Sequence, residues 1–160
     1  KEGLGQPVAF ALEGVEGVAY FSPRGGRLAR EALLKRLSEA QREVLVAAFV
    51  LTDREVLEAL LQARRRGAEV KVLLETRNLG TSREEALLEE GLGVRQDANP
   101  YTMHHKVMLL DGTYVVTGSY NFSVRAHEVN NENLLVLKSP SLAERYRKEV
   151  LRLWEAGSPL

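Results

Sequence analysis

His104 and Lys106 sit one residue apart at the head of the apolar run "HHKVMLLD" (104–111), in a chain with only three histidines. Side chains on a strand alternate between faces. In an extended 104–110, His104 and Lys106 therefore share one side, and His105 and Val107 the other. The first two are then roughly 7 Å apart along the strand, within reach of one bound phosphate. The next apolar run ends in "TGSYNFS" (117–123), where Ser119, Asn121 and Ser123 share a parity. Asp111-Gly112 between the runs is a hairpin signal, and antiparallel pairing brings residues after 118 close to those before 105. A third run, "NNENLLVL" (130–137), carries Glu132 at its start. A carboxylate there is costly unless paired, and a histidine on a neighbouring strand suits it. Asp111 has the opposite parity to His104 and is expected in a structural pairing.

Such a cluster suits phosphodiester chemistry. Neutral imidazole attacks phosphorus, and imidazolium protonates a leaving alkoxide. Lysine and asparagine N–H groups hold the non-bridging oxygens as charge builds up. A glutamate on the other ring nitrogen orients the nucleophile and stabilises its charged form. Two histidines are needed, on opposite sides of the phosphorus. His105 faces away from His104. His127 lies in the polar stretch "RAHEVNN". A two-fold dimer would instead set His104 opposite its own symmetry mate. A metal site built from His104, His105 and His127 is disfavoured by the opposite facing of the first two.

The elements that must position these groups follow from the periodicity. At 160 residues and 44% apolar, the chain fits one domain with a real core. Residues 1–17, with four glycines and a proline, are expected to be a loose lead-in. "VAYFSP" (18–23) reads as a short strand. "GGRLAREALLKRLSEAQR" (25–42) has Leu28, Ala32, Leu33, Leu37 and Ala40 at helical spacing. "EVLVAAFVL" (43–51) reads as a strand covered on both faces. A helix over 52–67 is predicted to open with a Thr52/Glu55 capping box and stop at Gly67. A strand over 68–75 and a helix over 81–91 follow, then strands at 93–97, 104–111, 113–119 and 131–138. The last helix, 141–157, has a Ser141/Glu144 box and an apolar stripe of Leu142, Tyr146, Val150, Leu153 and Trp154. Alternating helix and strand in the first half predicts right-handed βαβ units. The expected fold is α/β, a mixed and largely parallel sheet flanked by helices on both faces.

Lys+Arg and Asp+Glu are both 22, so the bulk basic signature of a nucleic-acid binder is absent. "ARRRG" (63–67) reads as a solvated helix end, where cations suit the dipole. The absence of cysteine excludes disulfides, thiolate chemistry and Cys-ligated metals. No apolar run approaches the roughly 18 residues of a membrane span.

His104-x-Lys106-x4-Asp111, then "GSYNFS" (118–123), then Asn131-Glu132-Asn133, resembles the HKD motif of the phospholipase D superfamily. The similarity covers roughly residues 18–157, and the chain resembles the short bacterial endonuclease members with a single motif. The resemblance implies a phospholipase D-like fold and a phosphodiesterase that needs no metal or other cofactor and forms a covalent phosphohistidine. By position, it implies His104 as nucleophile in one subunit and acid in the other of a homodimer. Lys106 and Asn121 would bind phosphate, supported by Ser119. Glu132 would orient the histidine, and Asp111 would be structural. The implied partner is DNA or RNA with little sequence preference, without stable membrane insertion. Arg77, Arg83 and Arg125 are candidates for a basic groove formed at the dimer. Competing expectations are a phospholipid hydrolase and a non-catalytic nucleic-acid-binding module. Family habit and the Lys1 start favour a periplasmic or secreted location over a cytoplasmic one.

Overall fold

The computed structural model describes residues 5–75, 84–97 and 105–160. His104, Arg77 and Arg83 lie outside the described residues. The elements run β1 (Val8–Leu12), β2 (Val15–Phe21), α1 (Gly26–Glu39), β3 (Glu43–Ala48), α2 (Arg54–Arg65), β4 (Glu69–Leu74), α3 (Glu84–Glu89) and β5 (Gly93–Gln96). They continue with β6 (Lys106–Leu110), β7 (Tyr114–Gly118), α4 (Val124–Glu128), β8 (Asn133–Lys138), α5 (Pro140–Ala156) and β9 (Ser158–Pro159). One sheet holds all the described strands in the order β1-β2-β8-β7-β6-β3-β4-β5-β9.

The mixed sheet with helices on both faces is as expected, but its parallel share is small. Only β3–β4 and β4–β5 pair parallel; the other six ladders are antiparallel. The βαβ reading holds where a helix separates two strands. From β6 onward the strands follow through tight turns, which force antiparallel neighbours.

A second correction concerns the lead-in. Residues 8–17 are not loose: β1 and β2 form a hairpin through Glu13 and Gly14, both at positive φ. This hairpin docks on β8 with Val18 opposite Val136. The Glu-Gly turn lacks the usual Asn or Asp, which hid it among the glycines.

Alternate residues of the central strands divide two cores. Val44, Val46, Met108, Leu110, Val116 and Leu134 face α1, α2 and α4. Leu45, Ala47, Val107, Leu109, Val115 and Leu137 face α5. Both sides of β3 are thus buried, as its continuous apolar run requires. Full burial of one such leucine or valine contributes about 1.5–3 kcal/mol.

Two helix caps differ from expectation. Asp53, not Thr52, is the N-cap of α2 and accepts from the Glu55 amide. Ser139, not Ser141, caps α5, with Pro140 in the first turn. Each true cap stands immediately before the first helical residue, where its side chain reaches an orphan N–H. The 63–67 arginines do end α2: Arg65 pairs with Glu58 and Glu90, and Arg66 donates to the carbonyls of Leu37 and Ala40.

Candidate active site

The carboxyl ends of β3 and β7 and the beginnings of β6 and β8 meet at one edge of the sheet. In a sheet of this kind, ligands collect at that edge. Lys106 opens β6 opposite Ala48 of β3. It has the parity of Met108 and Leu110, so it stands on the α1/α2 face. His105 has the other parity and is exposed; its carbonyl accepts from the Phe49 amide, which prolongs the β3–β6 ladder. The Lys106 amine lies 5.2 Å from the centroid of the Phe49 ring. Burial lowers the Lys106 pKa from its usual value, and the Glu132 carboxylate partly restores it.

Glu132 immediately precedes β8. Its carbonyl accepts from the Ser22 amide at 2.9 Å, and its own amide donates to Ser22 Oγ at 3.2 Å. Ser22 Oγ also donates to the Asn130 carbonyl at 2.8 Å. Glu132 is thereby kept extended, two residues before Leu134 and on the same face as Lys106. Asn130 Nδ2 reaches its carboxylate at 3.4 Å.

Between the two strands runs β7, ending at Gly118. Gly118 has φ +126°, and a Cβ there would lie 2.4 Å from the Asn133 carbonyl oxygen. Only glycine permits that approach. Ser119 is locked just beyond. Its amide donates to the Asn133 carbonyl at 3.1 Å, and its Oγ accepts from the Asn133 amide at 3.0 Å. Tyr120 and Phe122 are buried in the core under α1 and α2, with Asn121 half-buried between them. Asn121 Oδ1 is buried without a hydrogen-bond partner among the described residues.

Lys106, Ser119, Asn121 and Glu132 are therefore brought to one end of the sheet. Asp111 is not. It sits at the far end of β6, in a turn where Asp111 and Gly112 both have positive φ. Its carboxylate accepts from the amides of Gln41, Arg42 and Glu43. Burial acts to raise its pKa, but these amide bonds and Arg42 outweigh it and leave the carboxyl below its usual range. It is its position beyond the far end of β6, rather than the face its parity assigns, that separates it from Lys106.

His127 falls in the short helix α4. Its imidazole is largely buried, with Nδ1 unpartnered among the described residues. Arg125 is exposed on the same helix.

Sequence reasoning missed the Arg30–Asp53 pair. Asp53 is 1% exposed and holds Arg30 through two bonds of 2.7 Å. Burial opposes ionisation, yet Arg30 and the α2 amides keep its carboxyl below the usual range. The signal was present in "TDRE", but it was assigned to Thr52.

The profile of the family described as "Cardiolipin synthase, PLD-like domain" matches residues 33–154. A mitochondrial cardiolipin hydrolase of Xenopus laevis is 36% identical over 129 residues, covering 79% of this chain and 61% of that protein. A phospholipase D of Rickettsia typhi is 33% identical over 128 residues, covering 79% of this chain and 62% of that one. The chain thus spans about three fifths of the length of these curated relatives. The crystal structure of Nuc, a phospholipase D family member from Salmonella typhimurium, superposes with TM-score 0.84 at 30% identity, covering 91% of this chain and 98% of Nuc. The chain belongs to the PLD-like domain family of the phospholipase D superfamily.

Proposed function

We propose that this chain is a phosphodiesterase of the phospholipase D superfamily that cleaves DNA or RNA without a metal. The observation that carries the reading is the convergence of Lys106, Asn121 and Glu132 at one sheet edge, next to the start of the strand that His104 precedes. In this reading one imidazole nitrogen of His104 attacks phosphorus. The bond to the leaving oxygen breaks, and that oxygen takes a proton from His104 of a second copy. The second imidazole, now neutral, then removes a proton from water. The water oxygen attacks the phosphohistidine and the P–N bond breaks, releasing the strand that keeps the phosphate as a terminal monoester and restoring both histidines. Lys106 and Asn121 hold the non-bridging oxygens, Ser119 fixes the loop that carries Asn121, and Glu132 orients the imidazole.

Nucleic acid is favoured by the resemblance to short bacterial endonuclease members and by the match to Nuc over nearly its whole length. Arg125, exposed and without a carboxylate partner among the described residues, suits a backbone-tracking groove together with Arg77 and Arg83. Phe21, Val124 and Val129 are exposed apolar residues flanking this end of the sheet, and they suit contact with a second copy.

The test is cleavage of plasmid and single-stranded DNA in excess EDTA by the wild type and by His104→Ala. Cleavage by the wild type alone is expected. Cleavage that stops with chelator overturns the mechanism.

The names of the curated relatives favour a second reading, hydrolysis of a phospholipid such as cardiolipin. Among the described residues no helix is long and apolar enough to cross a membrane. Release of headgroup from cardiolipin or phosphatidylcholine vesicles, with nucleic acid left intact, would select this reading.

A further inference from the structure

Asn121 Oδ1 is buried without a hydrogen-bond partner among the described residues, so no such bond there fixes the direction of the amide, and the placing of its main chain matters. That main chain is pinned at the next residue. The Phe122 carbonyl accepts from the amides of both Thr52, at 2.9 Å, and Asp53, at 3.0 Å. The Phe122 amide donates to the Val50 carbonyl at 3.2 Å, and Leu51 and Phe122 form an isolated parallel bridge. Segment 50–53 is thus the bed on which Phe122 lies.

The end of that bed is fixed by Asp53. One of its oxygens caps α2 through the Glu55 amide, and both bind the guanidinium of Arg30 in a planar fork. Arg30 also reaches Glu55 at 3.3 Å. The pair ties the first turn of α2 to α1, and α1 is seated so closely on α4 that a Cβ at Gly26 would lie 1.8 Å from the His127 carbonyl oxygen. On the other side of Asn121, Tyr120 is 2% exposed, and its hydroxyl has no partner among the described residues. Burial pushes the Tyr120 hydroxyl pKa up, with the Asp53 carboxylate adding to the shift and Arg30 opposing it.

From this geometry we propose that Arg30 and Asp53 are positioning residues for Asn121. They set its amide against the substrate phosphate through the Asp53 amide and the Phe122 carbonyl. The pair adds no contact to substrate itself. It rests on the reading of Asn121 as a phosphate ligand given above. A bond of this kind matters because a displacement of about 1 Å at a group that grips the reacting centre can cost on the order of a hundredfold in rate.

The experiment is a double-mutant cycle of Asp53→Asn and Asn121→Ala, read as the affinity for inorganic phosphate by calorimetry. Asparagine keeps the cap of α2 and removes the charge that holds Arg30. Expected is about a tenfold weakening on Asp53→Asn in the wild-type background, and no further loss when Asn121 is already alanine. A loss of the same size in both backgrounds, or none in either, overturns the proposal. Phosphate binding unchanged by Asn121→Ala instead overturns the underlying role of Asn121. Arg30→Lys, which keeps the charge and loses the fork, is the second variant should Asp53→Asn not fold. It is expected to follow the same pattern, and equal losses in both backgrounds would again overturn the proposal.

Discussion

Lys106 and Glu132 stand on the same face and at the same end of the sheet, two strands apart, with Gly118 between them. The β7–β8 register sets Gly118 opposite Leu134, and continuing the β6–β7 register by two residues sets it opposite Lys106. Gly118 contributes no side chain between the lysine and the glutamate, and the place a Cβ would take is filled by the Asn133 carbonyl. The two charges sense each other across Gly118, since Glu132 raises the Lys106 pKa against the lowering caused by burial.

Replacing Lys106 with methionine separates stability from chemistry. The methionine matches the length of the stem and removes a partly desolvated charge. The melting point is expected to move by less than the equivalent of about 1 kcal/mol. Hydrolysis of bis(4-nitrophenyl) phosphate is expected to fall about 10²–10³-fold. Retention of full turnover would remove Lys106 from the phosphate site.

Gly118→Ala should act in the opposite sense, on the frame. The added Cβ meets the Asn133 carbonyl in a backbone conformation that L residues avoid. A loss of roughly 2–3 kcal/mol is expected in urea unfolding, with Ser119 displaced from Asn133. A wild-type unfolding midpoint would contradict the close approach.

Asp111→Ala tests the far end of β6. Three amide bonds to its carboxylate are lost, and alanine is a poor occupant of the left-handed turn. A cost of about 2 kcal/mol is expected at neutral pH. The folded-state pKa is lowered from the usual value of 3.8, so the ionised carboxylate is what stabilises the fold. Its contribution is complete above that value and is lost as pH falls through the lower folded-state pKa. Denaturation curves of wild type and variant should therefore differ most at neutral pH and converge in acid. Catalysis should persist wherever the variant is folded.

The proposed two-copy site makes a prediction about mixing. If each site needs His104 from two copies, a dimer with one His104→Ala subunit is inactive. Co-refolding equal amounts of wild type and variant should then leave about one quarter of the activity of an all-wild-type sample of the same total protein. About one half would mean that each subunit works alone.

Much of this arrangement is legible in the residue order, because the relevant rules are local. Alternation along a strand put His105 and Lys106 on opposite faces, but what sets Asp111 apart from Lys106 is its place at the far end of β6. Asp-Gly announced the β6–β7 hairpin, and the stripe from Leu142 to Trp154 announced α5. The proposed chemistry likewise rests on the types and spacing of a histidine, a lysine, an asparagine and a glutamate within thirty residues. Tertiary structure alone decided which distant segments meet. The Glu13-Gly14 hairpin finds its place only by docking on β8, more than 110 residues later. Asp53 becomes a buried anchor only because α1 delivers Arg30 to it. The antiparallel majority of the sheet depends on which strand β6 pairs with, and its own apolar pattern fits either direction. Local periodicity fixes which face of an element is buried, whereas the partner on that face is chosen by the packing of the whole chain.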